Sequence, residues 1–292
     1  MFKKKPYFLI IDGHSYLYRV YYALPNIIDK FKNFSGAIYG FLKMIQKIYK
    51  KYKPKKMSIV FDSPKKNFRN NLFKKYKINR KPMPENLIYQ FQKLCKIIKI
   101  LKITTLIIPK VEADDVIGTI ATKKKKKYRI LIHSNDKDFA QLVNNKIKII
   151  QKINCKPLGI KEIIKKYGIH PKKIIELFSL IGDTSDNVKG IKGIGKKTAI
   201  KLLNIFNSTK NIYKNIEKTH LFNIRNKKKI IENLKKKKKK LQLNQKLIKI
   251  KLNVKINFTL YSFKISNILN KKIVKIIQYY NFKNFTKYIK NF

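Results

Sequence analysis

Tyr7-Phe8-Leu9-Ile10-Ile11-Asp12-Gly13 opens the chain with five apolar or aromatic residues that stop at an acid and a glycine. A short apolar run bounded by a turn signal reads as a strand buried on both faces, followed by a turn. The pattern recurs in residues 57–61 (MSIVF), which end at Asp62, and in residues 129–133 (RILIH), which run into Ser134-Asn135-Asp136. Residues 106–108, closed by Pro109, and residues 146–150 (KIKII) complete five expected strands.

Helical patterns lie between them. Residues 37–52 carry Ile38, Phe41, Leu42, Ile45, Ile48 and Tyr49 on one helix face. Residues 87–101 do the same through Ile88, Phe91, Leu94, Cys95 and Ile98, and residues 114–121 form a third such stretch. Strands alternating with helices imply an α/β fold with a mainly parallel central sheet. Ligands of such sheets gather beyond the C-terminal ends of the strands, where Asp12, Asp62 and Asp136 fall. Residues 64–84 are basic and aromatic and too long for a simple connection. From about Leu158 strand signals fade and short helices dominate. The lysine runs at 123–127 and 235–240 read as solvated helix ends or linkers, and no large tandem repeat is evident.

Acids are scarce, 15 against 71 Lys and Arg, so their placement is informative. Nine of the 15 are Asp12, Asp62, Glu112, Asp114, Asp115, Asp136, Asp138, Asp183 and Asp186, each at an expected strand end, helix start or turn. In Glu112-Ala113-Asp114-Asp115, Glu112 and Asp115 share a helix face while Asp114 points elsewhere unless the first turn is irregular. Asp136-Lys137-Asp138 follows a strand. Asp183 and Asp186, in Gly182-Asp183-Thr184-Ser185-Asp186-Asn187, converge if that segment is a helix end or a turn. Taken singly, Asp12 also has the chemistry of a helix cap. Gathered together, such carboxylates repel one another and call for cations. Oxygen-only ligands favour a hard ion, Mg²⁺ or Mn²⁺. Two of these can activate water and stabilise a leaving oxygen in phosphodiester hydrolysis.

Composition bounds the rest. At 292 residues and 44% hydrophobic, the chain is long enough for a globular core. No apolar run is long enough to span a bilayer, and residues 7–11 are too short for a signal peptide, so a cytoplasmic, non-membrane protein is expected. Cys95 and Cys155 suggest neither a disulfide framework nor a zinc site. His14, His133, His170 and His220 are scattered singly and read as structural. The formal charge of +56 favours a polyanionic partner. Part of it reflects a joint abundance of Lys, Ile, Asn, Tyr and Phe, the residues of A/T-rich codons.

Several motifs carry a family likeness. They are Asp12-Gly13-His14-Ser15-Tyr16-Leu17-Tyr18-Arg19, Val60-Phe61-Asp62, Tyr76-Lys77 with Arg80, and Met83-Pro84. Glu112-Ala113-Asp114-Asp115-Val116-Ile117-Gly118, Asp136-Lys137-Asp138, Gly182-Asp183-Thr184-Ser185-Asp186-Asn187 and residues 190–199 (GIKGIGKKTA) continue the series. In number, order and spacing the chain resembles, nearly end to end, the 5′-nuclease domain of bacterial DNA polymerase I, in the flap-endonuclease superfamily.

The resemblance implies a PIN-like nuclease core over residues 1–156, with a helical arch at 64–84. Residues 157–292 would be a helical region carrying a helix-hairpin-helix DNA-binding motif at about 182–204. It implies that Asp12, Asp62, Glu112 and Asp114 hold one Mg²⁺ and that Asp136, Asp138 and Asp186 hold a second, with Asp115 and Asp183 assisting. Lys77 and Arg80 would steady the scissile phosphate. Tyr76 would stack on a base. Arg19 and Arg69 would contact phosphates. Gly190, Lys192, Gly193, Gly195, Lys196, Lys197 and Thr198 would meet duplex phosphates, with a monovalent ion such as K⁺ in the hairpin.

The implied activity is Mg-dependent 5′-3′ exonuclease and flap cleavage by a monomer. Its substrates would be 5′ flaps, nicks, free 5′ ends and RNA primer–DNA hybrids, with a separate DNA polymerase as a functional partner. The sequence ends where that nuclease domain ends. Asn135, where the family has glycine, His14, and Lys189 and Lys192, where it has prolines, are departures. Two other readings are a non-catalytic DNA-binding descendant and a single-strand ribonuclease. Retention of the acids argues against the first. The basic arch and hairpin argue against the second.

Overall fold

Alternate residues of the first strand enter two different cores. Phe8 and Ile10 pack with Ile130, Ile132, Val116 and Ile120. Leu9 and Ile11 pack with Leu17, Phe41, Ile45, Ile59 and Leu94. A strand buried on both faces needs apolar residues at every position, which is what residues 7–11 supply. The computed structural model describes residues 5–24, 27–218, 224–258, 263–265 and 269–281. His220 lies outside the described residues.

The order is β1 Tyr7–Asp12, α1 Gly13–Ala23, α2 Gly36–Tyr52, β2 Lys56–Val60, α3 Phe68–Leu72, α4 Glu85–Ile100 and β3 Thr104–Leu106. Then come α5 Ala113–Lys124, β4 Arg129–His133, β5 Ile147–Ile150, α6 Ile160–Tyr167 and α7 Ile174–Ile181. The remainder is β6 Gly182–Asp183, β7 Val188–Lys189, α8 Lys196–Phe206, α9 Thr209–Lys214, α10 Lys227–Lys236, α11 Lys238–Ile248 and α12 Leu269–Tyr280.

The main sheet is wholly parallel, with strands ordered β3-β2-β1-β4-β5. The chain turns one way from β1 to β2 and the other way to β4, so the crevice between β1 and β4 is a topological switch point. Asp12 ends β1 at that crevice. Its carboxylate also caps α1, accepting from the Ser15 N–H at 3.2 Å, so the capping and cleft readings both hold.

Two expectations shift. The third strand is Thr104–Leu106 rather than residues 106–108, because its register on Ser58–Val60 uses Thr104 and Thr105, while Ile107 is already 43% exposed. Residues 64–84, expected to be a helical arch, hold only the five-residue α3, followed by successive turns over residues 74–79.

Among the described residues, the named elements of the second half are helices apart from the two-residue pair β6 and β7. Gly182 has φ +85°, and a Cβ there would lie 2.4 Å from the Gly190 nitrogen, so only glycine closes this hairpin. The segment after α11 returns to the α/β half. Lys251 N–H donates to Asp115, Val254 N–H donates to Thr119 Oγ1, and Gly118 leaves room for Ile250 and Leu252.

Candidate active site

Four acids from separate elements line one cleft of about 560 Å³. Asp12 ends β1, Asp62 follows β2, Asp114 is in the first turn of α5 and Asp136 follows β4. His14, Tyr18, Lys77, Arg80 and Asn135 share the lining. Beside it, Asp138, Asp183 and Asp186 are buried and bring ligand oxygens within 4.8 Å of one another. Asp136 caps the 3₁₀ turn that presents Asp138, accepting the Asp138 N–H at 2.8 Å. Asp183 and Asp186 come from the β6–β7 hairpin, so the convergence is made by a turn rather than a helix end.

These carboxylates fall into two electrostatic groups. Asp12 is pushed up to about 7, chiefly by burial, with the Asp62 charge adding to it. Asp114 and Asp138 are raised well above the carboxylate range, and Asp136 is raised too. Burial leads in each case, and neighbouring aspartates add repulsion. Asp138 Oδ1 is buried with no hydrogen-bond partner among the described residues. For Asp62, burial works upward but is outweighed by the His14 contact and the Ala113 N–H, leaving it at about 2. His14 Nδ1 lies 3.5 Å from Asp62 Oδ2.

The other group is already paired with cations of the chain, most of them from residues 64–84. Glu112 Oε1 meets Lys77 Nζ at 2.8 Å and Asn67 Nδ2 at 3.1 Å, while Oε2 meets Arg69 at 2.9 Å and the Tyr76 hydroxyl at 3.3 Å. Asp186 accepts from Tyr76 at 2.9 Å and from Arg80 at 2.9 Å. Lys137 Nζ holds Asp183 at 2.7 Å. Against burial, Glu112 and Asp186 together hold Lys77 above the usual lysine range. The Lys77 backbone is left-handed, φ 54°, and its N–H bonds the Asp186 carbonyl, so the ammonium is delivered from a constrained turn.

Three expected roles change. Arg69, expected at a DNA phosphate, is 2% exposed. Its two terminal nitrogens bond both oxygens of Asp115 at 2.7 and 2.8 Å, and it donates further to the Leu247 and Lys249 carbonyls. Asp115, expected to assist a metal, spends both oxygens on Arg69 and one also on the Lys251 N–H. Glu112 and Asp115 do share a face, as three-residue spacing requires, but the cation between them is Arg69. Tyr76, expected to stack on a base, is 4% exposed, and its hydroxyl links Glu112 to Asp186. Bulk apolar demand explains its burial, and the acids use its polar end.

Arg19 is exposed at the side of the cleft, donating to the Gln151 carbonyl at 3.1 Å. In the hairpin region, the Ile194 N–H bonds the Ile191 carbonyl and Gly193 takes φ +87°, a tight turn leading into α8. Gly195 is the N-cap of α8, with open space where a side chain would stand. Gly190 is close-packed on the Leu180 and Ile181 backbone. Lys196, Lys197 and Thr198 form the first turn of α8, and Lys192 precedes it. Among the described residues no helix is long and apolar enough to cross a membrane.

A parallel α/β core with a strand-end carboxylate cleft, joined to a SAM-like helical half, defines a nuclease class. Residues 7–168 match the family model for the 5′-3′ exonuclease N-terminal resolvase-like domain, and residues 169–271 match the 5′-3′ exonuclease C-terminal SAM fold. The chain belongs to this 5′-3′ exonuclease family. It is 46% identical to a 5′-3′ exonuclease of Buchnera aphidicola subsp. Schizaphis graminum over 96% of this chain and 98% of that one. A 5′-3′ exonuclease of Aquifex aeolicus is 36% identical over 95% and 93%. DNA polymerase I of Pseudomonas aeruginosa is 34% identical over 85% of this chain but only 28% of its own length. The fold is shared with bacteriophage T5 flap endonuclease in a pseudo-enzyme-product complex with DNA and metal ions, TM-score 0.69, 22% identity, covering 94% and 99% of the two chains.

Proposed function

We propose that the chain hydrolyses DNA phosphodiesters as a 5′-3′ exonuclease and structure-specific flap endonuclease with two Mg²⁺ ions. The convergence of Asp138, Asp183 and Asp186 beside the Asp12–Asp62–Asp114–Asp136 cleft carries this reading. The donor set fits a hard divalent ion: every ligand candidate is a carboxylate oxygen, Asp138 Oδ1 has no partner among the described residues, and four of the acids are driven toward their neutral forms without a cation. Asp12, Asp62, Glu112 and Asp114 would hold one ion, and Asp136, Asp138, Asp183 and Asp186 the other. Such a pair, when bound, supplies positive charge at the phosphate and lowers the cost of ionising water.

The chain's own groups do the rest. Lys77 and Arg80 project between the acids, and Arg80 is half exposed, so both are placed to transfer from Glu112 and Asp186 to phosphate oxygens as negative charge builds. Tyr76, Arg69 and Lys137 act as positioning residues, holding Glu112, Asp115, Asp183 and Asp186 in fixed places. Arg19 and the Gly190–Thr198 loop, with its lysines and the open N-terminus of α8, would bind phosphates of the duplex. Residues 64–84 would flank the entering 5′ strand. The roles that follow are removal of 5′ flaps and RNA primers in replication and repair, by a monomer working with a separate polymerase.

End-labelled flap, nicked and gapped duplexes test the reading. Mg²⁺ should give cleavage at the junction, excess EDTA none, and binding should weaken steeply with salt. Undiminished cleavage in EDTA would remove the metals from the mechanism.

A further inference from the structure

The two groups of acids that would hold the ions are tied together on two sides. On the side of residues 64–84, the Tyr76 hydroxyl and the Lys77 ammonium each reach both Glu112 and Asp186. On the sheet side, among the described residues, the tie is a single hydroxyl. Ser134 Oγ donates to Asp12 Oδ2 at 2.6 Å and accepts the Asp136 N–H at 3.0 Å.

The parallel register puts residue 134 there. β1 and β4 pair as far as Ile11 and His133, so Asp12 and Ser134 are the next residues of the two strands. Ser134 is 3% exposed, and its own N–H donates to the Ile150 carbonyl at 3.2 Å, which anchors it to β5 as well. A side chain fixed to strands is held more precisely than one on a free loop. A hydroxyl has one proton and two lone pairs. Here the proton goes to Asp12 and one lone pair takes the Asp136 N–H. Asp136 in turn accepts the Asp138 N–H through Oδ1 at 2.8 Å. Asp12, Asp136 and Asp138 thus lie on one chain of hydrogen bonds, with Ser134 as its link.

The link orients without occupying. Each carboxylate oxygen carries two lone pairs. Asp12 spends one on the Ser15 N–H at Oδ1 and one on Ser134 at Oδ2, so each oxygen keeps one for an ion. Ser134 is neutral, so it gives Asp12 direction and no counter-charge. Without the hydroxyl, Asp12 would keep only the Ser15 N–H and could turn about its last side-chain bond, while the Asp136 N–H would lose its acceptor.

We propose that Ser134 is a positioning residue that fixes Asp12 against Asp136 and so sets the two ion positions relative to each other. This rests on the two-ion reading above. Lys77, on the opposite side, is released to the phosphate in that reading, which leaves Ser134 as a tie that persists through the reaction.

Mn²⁺ binding to the full chain without DNA reads this role without turnover. EPR counts the free ions, and two bound ions held close together give a spin-coupled signal. The wild type should bind two Mn²⁺ with such a signal at saturation. Ser134→Ala should weaken Mn²⁺ binding by roughly 10–100-fold and lose most of the coupled signal at matched occupancy. Ser134→Thr, which keeps the hydroxyl, should restore both. Should the alanine chain fail to fold, Ser134→Cys, with similar volume and a poorer donor, should show the same loss in smaller degree. The denaturation midpoint in EDTA is measured alongside. An alanine or cysteine chain with wild-type Mn²⁺ affinity and coupling, whatever its midpoint, would overturn the positioning role and leave the two-ion reading standing. A wild type that binds no coupled pair would overturn both.

Discussion

Glu112, Asp115, Asp183 and Asp186 each have a cation of the chain within 2.9 Å, from Lys77, Arg69, Lys137 and Arg80. Asp12, Asp114, Asp136 and Asp138 have no ion pair among the described residues, and all four are held toward the protonated form. Both groups are buried in one region, so the difference lies in what surrounds them. Side chains of residues 64–84 supply most of the positive charge to the first group. The sheet supplies backbone N–H groups and hydroxyls to the second, such as Ser134 Oγ on Asp12 at 2.6 Å, and leaves the charge itself uncompensated. The chain supplies cations of its own to the first group and none in direct contact to the second, so the second depends most on the external ions that Glu112, Asp183 and Asp186 would also help to hold.

Substitutions on the two sides should therefore fail differently. Asp136→Ala, on the uncompensated side, is expected to cut single-turnover flap cleavage by about three orders of magnitude or more, on the order of 4 kcal/mol, while leaving most DNA binding. A loss of under tenfold would erase the distinction. Arg69→Ala, on the compensated side, strands Asp115 and one flank of Glu112, and its main effect should be on stability. Breaking a buried pair from one partner costs about 3–5 kcal/mol, readable as a lower denaturation midpoint. An unchanged midpoint, with weakened DNA affinity instead, would return Arg69 to the phosphate role. Lys77→Ala should slow cleavage by roughly 10²–10³ and weaken binding far less, as expected for a donor used in the transition state.

The remaining comparison concerns pH. Asp12 has its folded pKa raised from 3.8 to about 7, so the metal-free fold holds a proton that the unfolded chain releases. That contribution is complete below pH 3.8 and is lost as pH rises toward 7. Compared with Asp12→Asn in EDTA, the wild type should lose relative stability across this window by up to about 1.4 kcal/mol per pH unit. Saturating Mg²⁺ should flatten the difference, and a difference already flat in EDTA would show Asp12 ionised without metal.

The two groups also differ in how far the sequence reveals them. Asp12, Asp62 and Asp136 follow short apolar strands, and parallel sheets put such ends on one side, so their meeting could be read from local pattern. The compensating contacts could not. Arg69 reaches Asp115 across 46 positions and Leu247 across 178, and nothing in the Phe68-Arg69-Asn70 surroundings marks it as buried. A basic residue in a basic stretch looks like a phosphate ligand until its tertiary partners are known. Tyr76 misleads similarly, since an exposed stacking ring and a buried ring with a paired hydroxyl have the same local sequence. The third strand lies two residues before its most apolar run, because Thr104 and Thr105 pair with β2 while Ile107 turns outward.

The return of residues 247–251 to α5 has a consequence for biosynthesis. The Arg69 guanidinium gets two of its acceptors from Leu247 and Lys249, and Asp115 receives the Lys251 N–H. A nascent chain still short of those residues at the ribosome exit can pair its five parallel strands but cannot close the shell around this arginine. Maturation of the nuclease centre is thereby timed to the emergence of residues 247–251, well after the strands that bear most of its acids have emerged.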